Sequence, residues 1–188
     1  MTRIFFCFFF LVLSLSTSQL ALSQEESKLI SPRPKASPLA MASFLAEDNT
    51  YLKVTYGQPM MKSRQIFGGL VPYGEIWRLG ANEATEITTT KDIRIEKKTL
   101  PAGTYTMFAI PEEGQWTVIF NKVLGQWGAY KYEENKGENV MSVRIPTEAS
   151  SDTYEGLTMF FEQTRKGADL VMVWEQSKIL LPITFLNK

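Results

Sequence analysis

The chain has 188 residues with 20 basic and 20 acidic side chains, one cysteine and no histidine. This is one domain's worth of chain, and balanced charge without a Lys/Arg-rich block argues against a nucleic-acid or anionic-membrane partner. The lack of histidine excludes Ser-His-Asp and Cys-His catalysis and imidazole metal sites. No metal or cofactor is expected, and any acid–base chemistry would fall to carboxylates, tyrosine or lysine.

At the N-terminus Arg3 precedes an apolar run, "IFFCFFFLVLSLS" (4–16), and the small-residue pattern Ala21-Leu22-Ser23 follows. Residues 1–23 read as a secretory signal peptide cut before Gln24. The strongly apolar part, roughly a dozen residues, falls short of the about 20 that span a bilayer. The protein is therefore expected to be exported, to the periplasm or the cell exterior. Cleavage would remove Cys7 and Arg3, leaving a chain with no disulfide and a single net negative charge. No later segment is long and apolar enough to be a transmembrane segment. Residues 24–37, "QEESKLISPRPKAS", read as an extended linker, with a single domain expected over 38–188.

Within that domain the pattern is strand after short strand. "YLKVTY" (51–56) alternates, with Leu52, Val54 and Tyr56 on one face. "TYTMFAI" (104–110) and "WTVIF" (116–120) flank a hairpin-length loop containing glycine. "VMSVRI" (140–145) and "LTMFFE" (157–162) also alternate. "ADLVMVW" (168–174) and "KILLPITF" (178–185) are joined by little more than Gln176-Ser177, a tight-hairpin spacing without the favoured Gly or Asn. Pro182 must then sit at an edge, a bulge or a place where no ladder donor is needed. No long segment keeps a helical period, so helix should amount to a turn or two. The expectation is an all-β, antiparallel β-sandwich, jelly-roll-like, with a long aromatic, Gly-rich covering loop between residues 57 and 84.

Three runs occur in order: "YGQPMMKSRQIFGGLVPYGEIWRLGANEAT" (56–85), "LPAGTYTMFAIP" (100–111) and "WTVIFNKVLGQWGAYKY" (116–132). Together they resemble the bacterial domain-of-unknown-function family 2911 over roughly residues 38–186. The resemblance implies an exported protein, mainly of Bacteroidota, and brings with it no activity, substrate or catalytic residue.

Two stretches could carry function. In "VPYGEIWRLGANEAT" (71–85), Arg78, Asn82 and Glu83 could converge beside an aromatic floor of Trp77, the usual make-up of a ligand pocket. The structural alternative pairs Arg78 with Glu75 or Glu83, lets Asn82 bond its own backbone, and uses Ile76, Trp77 and Leu79 to plug a sheet end. In "NKVLGQWGAYKY" (121–132), Lys122 and Trp127, with Gln126, Tyr130 and Tyr132, suit either sugar stacking or cross-strand packing. Lys62 and Arg64 read as a solvated loop, and "KYEENKGEN" (131–139) as a polar loop without calcium-ligand spacing. These residues favour a non-catalytic module that binds a small molecule or glycan, with no signal for an oligomeric state. The alternatives are a carboxylate-dependent hydrolase, using Glu83 and a second acid, and an envelope protein-interaction scaffold.

Overall fold

The structure, a computed structural model, describes residues 36–186. The signal-peptide segment 1–23 and all but the last two residues of the linker expected at 24–37 lie outside it. Nine strands run in chain order: β1 (Leu39–Leu45), β2 (Tyr51–Gly57), β3 (Thr85–Thr89), β4 (Ile93–Ile95), β5 (Lys98–Leu100), β6 (Gly103–Glu112), β7 (Gln115–Asn121), β8 (Asn139–Thr164) and β9 (Gly167–Phe185). A four-residue helix, α1 (Tyr132–Asn135), and a 3-10 turn (Lys136–Glu138) occupy the stretch read above as a polar loop. No described helix is long and apolar enough to cross a membrane.

The strands form one antiparallel ladder in the order β1-β2-β3-β6-β7-β8-β9-β4-β5. It folds over at β8, which pairs with β7 through its first residues and with β9 from Thr147 onward, slipping register twice between Ala149 and Thr158. The two halves thus face each other as a sandwich. Strand β9 also turns back on itself. Phe185 N–H donates to the Lys166 carbonyl at 3.0 Å, so the ends of this 19-residue strand lie side by side. The reversal comes at Glu175, with φ 55°, which takes the left-handed conformation without being Gly or Asn. Pro182 occupies the gap between residues 177–179, paired with β8, and residues 183–185, paired with β4.

Alternation sorts the side chains as the sequence implies. Leu52, Val54 and Tyr56 of β2 are buried, and Trp116, Val118 and Phe120 of β7 join them in one core shared by both halves. The long segment after Gly57 closes one end of this core. Met60 bridges to Gly156, Trp77 to Ala109, and Ala81 N–H donates to the Gly57 carbonyl. Ile66, Phe67, Val71, Trp77 and Leu79 thereby enter the interior. Trp77 stacks on Trp174 at 6.0 Å and meets Trp116 edge-on at 5.7 Å. The outer face of β6 and β7 carries a smaller cluster, Phe108, Ile119, Tyr132 and Ala84, with Ile76 and Ala129 packed against it. That second apolar face of "WTVIF" is therefore covered from two loops, 76–84 and 126–132.

One cross-strand pair opposes the fold. Glu162 lies directly across from Asp169 on β8 and β9, and partial burial, then the Glu162 charge, raises the Asp169 pKa. A carboxyl whose folded pKa is raised binds more protons folded than unfolded, so stability falls as pH rises from the unfolded value through the folded one. At pH 7 that cost is fully present. Asp169→Asn should therefore stabilise the protein at pH 7, toward the lower end of about 0.2–1 kcal/mol because solvent screens the pair. In urea titrations the gain should vanish near pH 2, where both carboxyls are protonated; a gain independent of pH would rule out charge repulsion as its cause.

Candidate functional site

Residues 71–85 divide between scaffold and surface. Gly74, at φ 75°, makes the turn after Pro72 and donates its N–H to the Pro111 carbonyl. Trp77 then runs beside β6, exchanging backbone bonds of 2.7 and 2.8 Å with Ala109. Its ring is buried and its Nε1 donates to the Gly80 carbonyl. Trp77 is thus part of the core plug rather than the floor of a pocket, because its backbone pairing aims the ring between the sheets. From Arg78 to Thr85 the chain makes a closed loop. Thr85 N–H donates to the Arg78 carbonyl and Thr85 Oγ1 to the Leu79 carbonyl. Asn82 sits at φ 63°, and its Nδ2 donates to the Ser37 carbonyl instead of to its own backbone.

Arg78 pairs with neither Glu75 nor Glu83. The ion pairs among the described residues are Lys91–Asp48, Lys136–Glu133 and Lys178–Glu148. Arg78 is half-buried and its Nε is enclosed without a hydrogen-bond partner. An unpartnered buried donor costs about 1–3 kcal/mol, so Arg78 is held here at the expense of stability rather than by a bond to the scaffold.

The structure joins the two candidate stretches. Ala84 N–H donates to the Gln126 carbonyl, Gly128 N–H donates to the Asn82 carbonyl, and Glu83 bridges antiparallel to Trp127. Residues directly opposite on such a ribbon project to the same side, with Cβ atoms roughly 5 Å apart. Ala84 and Gln126 turn inward, while Glu83 is exposed and Trp127 is 57% exposed. Tyr130, at 81% exposure, lies with its ring against Gly128. Tyr132, in contrast, packs edge-on against Phe108 at 5.0 Å. Lys122 is exposed at the end of β7, its N–H donating to the Glu138 carbonyl, and no bond joins it to Arg78, Glu83 or Trp127.

A polar network fixes the loop that carries Trp127. Buried Asn121 donates from Nδ2 to Asn135 O and Asn139 Oδ1, both at 2.8 Å, and its Oδ1 accepts from Val123 N–H. Gln126 Nε2 donates to the Val123 carbonyl, and Gln126 Oε1 accepts from Asn135 Nδ2. Glu86, the acid nearest in sequence to Glu83, accepts from Gly125 N–H. Asn121, Asn135 and Asn139 escaped sequence reading because amides in a polar run look solvated; only their convergence from three elements shows otherwise. Among the described residues no three His, Cys, Asp or Glu side chains group as a metal site.

Fold and surface together give an all-β sandwich whose exterior carries the exposed Glu83–Trp127 pair, with Tyr130 against Gly128 and half-buried Arg78 in the same closed loop as Glu83. The model of the family described as "Protein of unknown function (DUF2911)" matches residues 37–183, and the chain belongs to that family. No curated protein and no solved structure matches it significantly.

Proposed function

We propose that the protein is an exported, non-catalytic glycan-binding module of the periplasm or cell exterior. The observation that carries this reading is the Glu83–Trp127 bridge, which sets an exposed indole beside an exposed carboxylate on one side of a ribbon. A sugar ring presents an apolar C–H face and an equatorial fringe of hydroxyls. The first suits stacking on Trp127 or Tyr130; the second suits acceptance by Glu83 and donation from Arg78. Export rests on the N-terminal pattern of residues 1–23.

The test pairs binding with stability. An array of soluble oligosaccharides identifies a binder, and affinity and urea midpoint are then measured for Trp127→Ala, Glu83→Gln and Arg78→Ala. Each substitution should abolish or strongly weaken binding; Trp127→Ala and Glu83→Gln should shift stability by no more than about 0.5 kcal/mol, as at positions outside structural features, and Arg78→Ala should not lower it, since it removes an enclosed donor without a partner. Arg78 and Glu83 should show coupling below about 0.5 kcal/mol in an unfolding double-mutant cycle, because they form no ion pair. Loss of stability in step with loss of binding would reduce the platform to a structural turn, and an array without binders would retire the glycan.

A further inference from the structure

The two ends of the sandwich are closed unequally. One carries the plug of Phe67, Trp77 and Leu79. The other lies where β1 passes to β2, β3 to β4 and β8 to β9, the full length of β2 away, roughly 20 Å. There Phe44 stacks on Phe185 with ring centroids 6.0 Å apart and meets Phe161 at 6.3 Å. These rings pack against the core from its open end and are only half-buried. Over Phe44 and Phe185 opens a cleft of about 1100 Å³, flanked by Leu45 and Leu186. That is ample for a small organic ligand.

The charges around the cleft are not equally free. Asp48 accepts from Thr50 N–H and Oγ1–H and pairs with Lys91 at 3.5 Å; the Thr50 bonds foremost hold its pKa below the ordinary value. Asp92 accepts from Ala102 N–H. These three side chains are committed to shaping the turns. Arg165 and Lys166, exposed on the β8–β9 turn, form no ion pair among the described residues, and neither does Glu47. The charged lining is balanced, Lys91, Arg165 and Lys166 against Glu47, Asp48 and Asp92, but Arg165 and Lys166 sit together on one turn without an ion pair among the described residues, at the rim of a floor of phenylalanine and leucine.

We propose that this cleft binds an amphiphilic organic anion, with an apolar tail or ring against Phe44 and Phe185 and an acidic head group at Arg165 and Lys166. Apolar contact supplies non-directional attraction. The guanidinium fork orients a carboxylate, phosphate or sulfate at the rim. The site is separate from the Trp127 platform and stands or falls independently of it.

The experiment titrates the ¹⁵N-labelled protein with decanoate below its micellar concentration, alongside decyltrimethylammonium. Decanoate should saturate, with amide shifts concentrated at residues 44–48, 163–167 and 185–186, and the cationic analogue should bind at least tenfold more weakly. Arg165→Glu/Lys166→Glu, confined to exposed positions, should weaken decanoate at least tenfold with an unchanged urea midpoint, since a charge-assisted bond contributes about that factor or more. Trp127→Ala should leave decanoate binding intact. The proposal is overturned by unsaturable binding, by shifts centred elsewhere, or by equal affinity for the two head-group charges. An undiminished affinity in the double variant overturns it equally.

Discussion

Replacing Trp77 with alanine should lower the unfolding free energy by about 3–5 kcal/mol, the usual cost of truncating a buried tryptophan. The ring is enclosed by three other aromatics, Phe67, Trp116 and Trp174, at 5.7–6.0 Å, and no neighbour is free to fill its volume without abandoning its own contacts. The substitution also strands the Gly80 carbonyl, which accepts from Nε1. Urea unfolding followed by the remaining tryptophans measures the loss. Trp127→Ala is the natural comparison: the same deletion of side-chain volume, at a position 57% exposed, should cost only tenths of a kcal/mol. Similar losses at both positions would mean that residues 71–81 do not plug the sandwich as described.

A methyl group at Gly167 should be nearly as damaging. A Cβ there would overlap the Ile183 carbonyl oxygen, with the Ile183 carbonyl carbon at 3.0 Å and Thr184 Cα at 3.1 Å. All three are backbone atoms of the returning limb of β9, so no side chain can swing aside. Gly167→Ala therefore has to separate the two limbs where Phe185 N–H meets the Lys166 carbonyl. The expected cost is about 3 kcal/mol, the upper end of ordinary overpacking, read as a drop in urea midpoint. Gly137→Ala is the control, since nothing lies within 4 Å of its added methyl and its stability should change little. If both variants unfold at the wild-type midpoint, the limbs of β9 are not in contact in solution.

Strong alternation made much of this fold legible. Leu52, Val54 and Tyr56 announced β2, and the hairpin of β6 and β7 followed from two apolar runs around Gly114. Strand β1 was hidden because its inward positions include Ala40 and Ala42, which give little hydrophobic contrast. Strands β4 and β5 have three residues each, too few to establish a period. The candidate site was legible by composition but not by geometry. Arg78, Glu83 and Trp127 stood out as unusual loop residues, yet their neighbours pair across more than 40 positions of chain, which no local pattern encodes. Trp77 stood among them and went to the core, because one backbone bridge to Ala109 decides which way the ring points. The end cleft had no signature at all, being assembled from five separate turns and termini.

The pairing order also sets a schedule for assembly. The β4–β5 hairpin forms early along the chain, but outside itself its strand partner is the last stretch of β9, at Ile183–Phe185. The latter part of β8 likewise waits for β9. A nascent chain halted before Gly167 could lay down most of the first six-strand ladder and its plug of Phe67, Trp77 and Leu79, yet lack the β9 residues Leu170, Met172, Trp174, Ile179, Leu181 and Ile183 that complete the core on its inner face. Until the final residues emerge, that wet apolar surface is exposed to any chaperone or neighbouring chain that can hold it. Strand β9 is the keystone, pairing with β8 on one side and with β4 on the other.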